Sequence, residues 1–312
     1  MKRGQFNFVW IFAILAGGTI LVLAIYGAMQ TGNTMRYQSD SEAAKSISIL
    51  TNPLQAGFAD SSLGKISFQQ ESRLRNVCLD DGSFGKNVLS VASRSGIGEE
   101  WNLAGGATSI YNKYIFSVED NEGFEYFVFS KPFEFPYKVS DLIFLMNGEY
   151  CFLNAPDFVQ SEILDLGIDN VFFDNCSSSD ERVCFGRGND CDSIVYGSCL
   201  VGCDSVYDEG VVTKGSGEME YVGSLMWGAI FSDKNIYDCN VERLMFRAGK
   251  IAEVFSEKSD FMNARNCGTN MKGDLIVWGE MLSNVSSEDL ISLNEFADDI
   301  GDKNDRELCR LW

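Results

Sequence analysis

Between Arg3 and Arg36 the sequence carries no charged residue, and from Phe6 to Met29 it is almost entirely apolar. No other feature constrains the chain as tightly, because an apolar run of this length has to be covered by lipid or by protein. About 20 residues cross the hydrocarbon layer, so the run is long enough to span it with some tilt. Trp10 and Tyr26 lie near its two ends, where amphipathic rings sit at the lipid boundary. Lys2 and Arg3 precede it, and the flank beyond is poor in basic residues, so the positive-inside rule places the N-terminus in the cytoplasm and everything after residue 30 outside. A cleaved secretory signal is the competing reading. Its apolar core holds only about 7–15 residues, and here Ile25 and Tyr26 fill places that should be small. Ala13 with Gly17, and Ala24 with Ala28, stand four apart on one helical face, the spacing that lets helices approach closely in lipid.

The rest of the chain reads as a folded exterior region. Of 312 residues, 45% are hydrophobic and only 4 are proline, which suits one or two packed domains and argues against disorder. Every acidic residue follows Ser39, so the net charge of -20 belongs to this region, and a phosphate backbone would be repelled. Nucleic acid is therefore not an expected partner. Histidine is absent, which removes Ser-His and Cys-His nucleophiles and histidine-bound metals. With no G-x-S-x-G elbow and no dinucleotide fingerprint, neither enzymatic activity nor a cofactor is expected.

The patterning divides the chain into a basic leader (1–4), a transmembrane helix (5–30), a stalk helix (31–56), a β-rich cysteine-containing region (57–222) and a helical region (223–312). Ala43, Ile47, Leu50 and Leu54 recur at helical spacing, and Pro53 is expected to end that helix near Thr51. Ile110–Val118 and Phe124–Phe129 read as strands joined by a turn over Glu119-Asp120-Asn121-Glu122-Gly123. Asn147-Gly148 predicts a two-residue hairpin between Leu142–Met146 and Glu149–Leu153. A helix is expected to start at Asn154-Ala155-Pro156-Asp157 and stop at Gly167, with short strands at Val171–Phe173 and Ile194–Tyr196. Ser232 and Asp233 then predict a cap for a long helix striped by Ile236, Leu244, Ala248, Ile251 and Phe255. Further helices are expected near Asp274–Leu282, Ser287–Ile300 and Leu308–Trp312. Strands followed by helices define an α+β class, here with an antiparallel sheet region.

Ten cysteines follow the anchor: Cys78, Cys151, Cys176, Cys184, Cys191, Cys199, Cys203, Cys239, Cys267 and Cys309. An even number in an exported domain reads as a disulfide framework whose pairing the sequence leaves open. The alternative is zinc, but only Cys199 and Cys203 are closely spaced, so no metal site is expected. Asn175-Cys176-Ser177 and Asn284-Val285-Ser286 are glycosylation sequons, the first crossed by a bridging cysteine. Asn189, Asp190 and Asp192 do not match a calcium loop and read as an acidic turn. Asp298, Asp299, Asp302, Asp305 and Glu307 read as a hydrated helix face, and Lys214-Gly215-Ser216-Gly217 as a loop.

Lys2-Arg3-Gly4-Gln5, followed at once by the apolar run, resembles the class III signal peptide of archaeal type IV pilin-like proteins. The resemblance implies peptidase cleavage between Gly4 and Gln5, retention of the apolar helix as anchor, and a long helix packed on a sheet. The chain departs from the pilin pattern in lacking an early acidic residue and in its large, cysteine-rich outer domain. The expectation is a single-pass cell-membrane protein held in the bilayer through residues 6–29, its partners other pilin-like subunits or a surface protein. An anchored receptor or adhesin that forms no filament is the alternative.

Overall fold

The computed structural model describes residues 8–55, 64–94, 101, 104–177, 180–188, 190–197 and 207–312. A 48-residue helix, α1 (Phe8–Gln55), leads the chain. It passes Thr31-Gly32-Asn33 without a break and runs two residues beyond Pro53, which removes one hydrogen bond from the last turn without ending the helix.

Two mixed six-stranded sheets follow. The first is ordered β3-β2-β1-β5-β6-β4, from β1 (Gly64–Leu79), β2 (Lys86–Ser93), β3 (Thr108–Tyr111), β4 (Tyr114–Phe116), β5 (Asp120–Glu134) and β6 (Lys138–Met146). The second is ordered β12-β11-β10-β9-β7-β8, from β7 (Tyr150–Leu153), β8 (Val171–Phe173), β9 (Glu181–Phe185), β10 (Ser193–Gly197), β11 (Glu209–Lys214) and β12 (Gly217–Val222). A short helix, α2 (Asp157–Leu166), connects β7 to β8 and stops at Gly167 in the left-handed conformation, as its sequence predicts. Four helices close the chain: α3 (Leu225–Phe231), α4 (Lys234–Asn263), α5 (Lys272–Met281) and α6 (Leu290–Arg306).

The α+β class holds, but the sheets are not purely antiparallel. β4 runs parallel to β6, and β8, β7, β9 and β10 run parallel to one another. The expected hairpin at Asn147-Gly148 is instead a crossover. Gly148 adopts φ +77°, yet β6 lies in the first sheet and β7 in the second. Local turn chemistry is satisfied there while long-range pairing decides where each strand goes. Residues 119–123 form no turn either: β5 already begins at Asp120 and pairs with β1 and β6, while β4 pairs with β6. The C-terminal segment from Leu308 is not helical, being held by Cys309 and by the Leu311 N–H donating to Asn304 Oδ1 at 2.7 Å.

Both faces of the first sheet are covered, which explains why β6 is buried continuously from Leu142 to Met146 rather than alternately. Val128, Ile143 and Leu145 face Ala44 and Ile47 of α1. Phe129 and Phe144 face the main core, which joins both sheets to the helices. All seven residues of α3 are buried. Trp227 on it meets Phe129 of the first sheet and Phe152 of the second, each at 6.2 Å between ring centres. Gly228 permits this, because a Cβ there would collide with the Phe116 ring.

A buried guanidinium clamps α4 to the first sheet. Arg243 is 0% exposed and donates to Phe84 O (2.9 Å), Asn87 Oδ1 (2.7 Å), Asn240 Oδ1 (2.8 Å) and Lys113 O (3.1 Å). Asn76, Asn87 and Asn240 extend the network to Ile115 O. The Cys78–Cys239 bridge sits beside it and ties β1 to α4 across 161 residues, a closure that restricts the unfolded chain by about 5 kcal/mol. Three other bridges join Cys151 to Cys176, Cys184 to Cys191 and Cys267 to Cys309. Among the described residues no cysteine is free, and Cys199 and Cys203 lie outside them. Replacing Arg243 by Met leaves several buried acceptors without a donor, each costing about 1–3 kcal/mol. Urea unfolding of Arg243→Met under non-reducing conditions is expected to show a loss of at least about 3 kcal/mol; a loss below about 1 kcal/mol would refute the clamp.

Candidate functional site

Three features outside ordinary core packing carry chemistry: the free half of α1, an acidic cleft, and a buried ionisable cluster beneath the second sheet.

On α1, every described side chain from Phe12 to Gly27 is exposed except the half-buried Ala16. Leu15 is 64% exposed and Leu23 68%, and nothing lies within 4 Å of a Cβ built on Gly17, Gly18 or Gly27. The Tyr37 hydroxyl lies beside Gly106, and Asp40 is buried with its carboxylate accepting from the Ser93 N–H and hydroxyl, both at 3.1 Å. The Ser41 hydroxyl accepts from Gly106 N–H at 2.6 Å, and Gly105 allows the close approach, since a Cβ there would lie 2.5 Å from Ser41 N. Among the described residues no helix is long and apolar enough to cross a membrane. The side chains described in the uncharged run are those of residues 12–27 and Thr31, and the continuous stretch is shorter than the about 20 residues a span requires. Ala13, Gly17 and Ala24 are exposed, and among the described residues nothing lies within 4 Å of a Cβ built on Gly17. Gly4, Gln5 and the side chain of Ala28 lie outside the described residues.

The acidic cleft, about 490 Å³, is lined by Val211, Glu218, Glu220, Lys234 and Glu288. Lys234 pairs with Asp238 at 3.1 Å and with Glu288 at 3.8 Å. Glu220 accepts from Ile291 N–H, and burial followed by the nearby Asp289, Glu288 and Glu209 raises its carboxyl above the ordinary 4.5. On α6, burial and then Glu209, Asp302, Asp299 and Asp208 raise Asp298 in the same direction. Asp298, Asp299, Asp302 and Asp305 occupy the exposed face of α6, and Glu307 follows half-buried. Among the described residues no group of three or more acidic or cysteine side chains could hold a metal ion. Asp190 and Asp192 stay at the surface beside the Cys184–Cys191 bridge, Asp192 accepting from Arg182 N–H, and Asn189 lies outside the described residues.

The cluster beneath the second sheet is not evident in the sequence. Gly215-Ser216 is a two-residue turn between β11 and β12, but the Lys214 ammonium turns inward and donates to Ile230 O (2.5 Å) and Ser232 O (3.0 Å) at the end of α3. Burial lowers the Lys214 ammonium, and burial likewise raises the Glu181 carboxyl and the Tyr150 phenol that meets it. Tyr150 pairs with Glu181, and Ser193 with Lys214, across the sheet. Ser193 is buried with an unpartnered hydroxyl, and the row leads to no described cleft. Asp233 is the residue before α4, as its sequence predicts, yet its carboxylate makes no cap and accepts instead from Glu119 N–H at 2.8 Å. Only register across distant strands assembles this row, which is why spacing along the chain gives no sign of it.

Comparison with protein-family models, curated proteins and solved structures finds no match.

Because Glu220 and Asp298 are raised in the folded state, their contribution to stability is fully present below the ordinary values of 4.5 and 3.8 and is lost as pH rises through the raised ones. Glu220→Gln is therefore expected to melt higher than the wild type at neutral pH, with the difference shrinking to nothing as pH falls toward 4.5. Scanning calorimetry across that range checks it; a variant that melts lower at neutral pH would contradict the sign.

Proposed function

We propose that this chain is a single-pass membrane-anchored protein that holds a disulfide-bonded, acidic domain outside the cell, as a structural or interaction subunit of pilin-like build. The observation that carries the proposal is the division of α1. One half packs on the first sheet through Asp40, Ala44 and Ile47, and the other leaves Leu15, Leu21, Leu23 and their neighbours exposed on all sides. An apolar surface of this extent around a whole helix is not stable in water, and a bilayer covers it without any groove on the partner. The helix backbone continues beyond the described side chains at both ends, from Phe8 to the docking point at Asp40, about 48 Å at 1.5 Å per residue. That length exceeds the about 30 Å of hydrocarbon.

Charge and covalent chemistry support the same placement. The basic residues before Asp40 are Lys2, Arg3 and Arg36, and every acid lies on the body's side of the span. Bridges among the described cysteines belong to an oxidising compartment. The long helix with its second half on a sheet favours the pilin-like form over an unrelated receptor stem. The Ala13, Gly17 and Ala24 face would serve lateral packing against other subunits. Cleavage between Gly4 and Gln5 belongs to this reading, and the mature chain would begin at Gln5.

The wild-type chain is expected to stay with membranes through alkaline carbonate extraction and to need detergent. Leu15→Arg combined with Leu21→Arg adds about 3 kcal/mol per charge at mid-span and is expected to move most of the protein to the soluble fraction. Wild-type protein recovered from the supernatant without detergent would overturn the anchor.

A further inference from the structure

We infer that Asn175 is an N-glycosylation site, presented rather than hidden by the disulfide that crosses its sequon. The inference rests on the exterior placement proposed above. The sequon Asn175-Cys176-Ser177 lies just after β8, the last strand in the order of the second sheet. A bridge through its middle residue looks prohibitive in the sequence. Cys176 turns toward the sheet to meet Cys151 of β7, with the two Cα atoms 5.4 Å apart. Asp174 and Asn175 are exposed, Cys176 is half-buried and Ser177 is exposed. Asn175 and Ser177, the two residues that the sequon supplies to a transferase, are thus both exposed on either side of the bridged Cys176.

In both sequons the hydroxyl residue donates its backbone N–H to an aspartate three residues on, Ser177 to Asp180 Oδ2 at 2.6 Å and Ser286 to Asp289 Oδ2 at 2.9 Å. Ser286, the hydroxyl residue of the second sequon, belongs to a capping box, with its hydroxyl donating to Asp289 Oδ2 at 2.9 Å and accepting from Glu288 N–H at 3.2 Å. That hydroxyl is committed to the start of the turn that leads into α6. The reaction expected at Asn175 uses an oligosaccharide carried on a lipid phosphate and a membrane transferase. Asn175 Nδ2 forms a bond to the anomeric carbon and loses a proton to the enzyme. The bond from that carbon to the lipid-phosphate oxygen breaks, and the lipid phosphate leaves with the electron pair. A glycan here would also stand over the open side of β8, where Phe172 is exposed, and would block strand addition at that edge.

The test is peptide mass mapping of the full-length chain purified from membranes of the cells that produce it, digested without reduction. The expected result is a glycan mass on Asn175 in the same peptide pair that holds the Cys151–Cys176 bridge. Asn175→Gln and Ser177→Ala each abolish the added mass, and Ser177→Thr keeps it. A bare Asn175 in molecules whose Cys151–Cys176 bridge has formed would overturn the site while leaving the exterior placement standing. A bare Asn175 with Cys151 and Cys176 both as free thiols would overturn the placement and the site together.

Discussion

Asp40 marks the point where α1 changes from an exposed apolar rod into part of a protein core. Its carboxylate takes two hydrogen bonds from Ser93, and Ser41 beside it takes one from Gly106. One turn later Ala44 and then Ile47 enter the apolar layer over the first sheet. The buried carboxylate ties the direction of the helix to the sheet, since its partners are a backbone N–H and a hydroxyl on β2. From Phe8 to Asp40 the chain is one continuous helix. The exposed apolar half of α1 and its docked half are therefore two ends of a single element.

Behind that sheet the structure is held by groups that tolerate little change. α3 carries Trp227 between the two sheets, and Arg243 ties α4 to the first of them and its loops through three hydrogen bonds to neutral acceptors, with a fourth to Asn240 within α4. Burial lowers the Arg243 guanidinium, opposed by Tyr114, Asp80 and Asp81, and the surrounding carbonyl oxygens replace the water it has lost. The Cys78–Cys239 bridge reinforces the same junction covalently.

How much of this was legible in the sequence depended on range. Features set by neighbouring residues read correctly: the helix from Asp157 stopped by Gly167, the long helix after Asp233, and the strand at Val171–Phe173. Features set by distant contacts did not. Asn147-Gly148 has the chemistry of a hairpin, but pairing with β5 and β9 sends its flanking strands into different sheets. The parallel strand pairs were hidden for the same reason. Of the candidate sites, the bridges of eight cysteines are formed, although their pairing needed the fold. The Tyr150–Glu181 and Ser193–Lys214 row had no signal in spacing. Arg243 did leave one, since it interrupts the apolar stripe of α4 next to Leu244, with Asn240 three residues before it.

The central claim is that the body stands outside the cell while α1 holds it there. Labelling intact cells with a membrane-impermeant amine reagent, then mapping the modified lysines, tests it most directly. Lys250 and Lys272 lie on α4 and α5 with side chains 46% and 48% exposed, and both are expected to react before lysis. Lysines that react only after the cells are broken open would contradict the account.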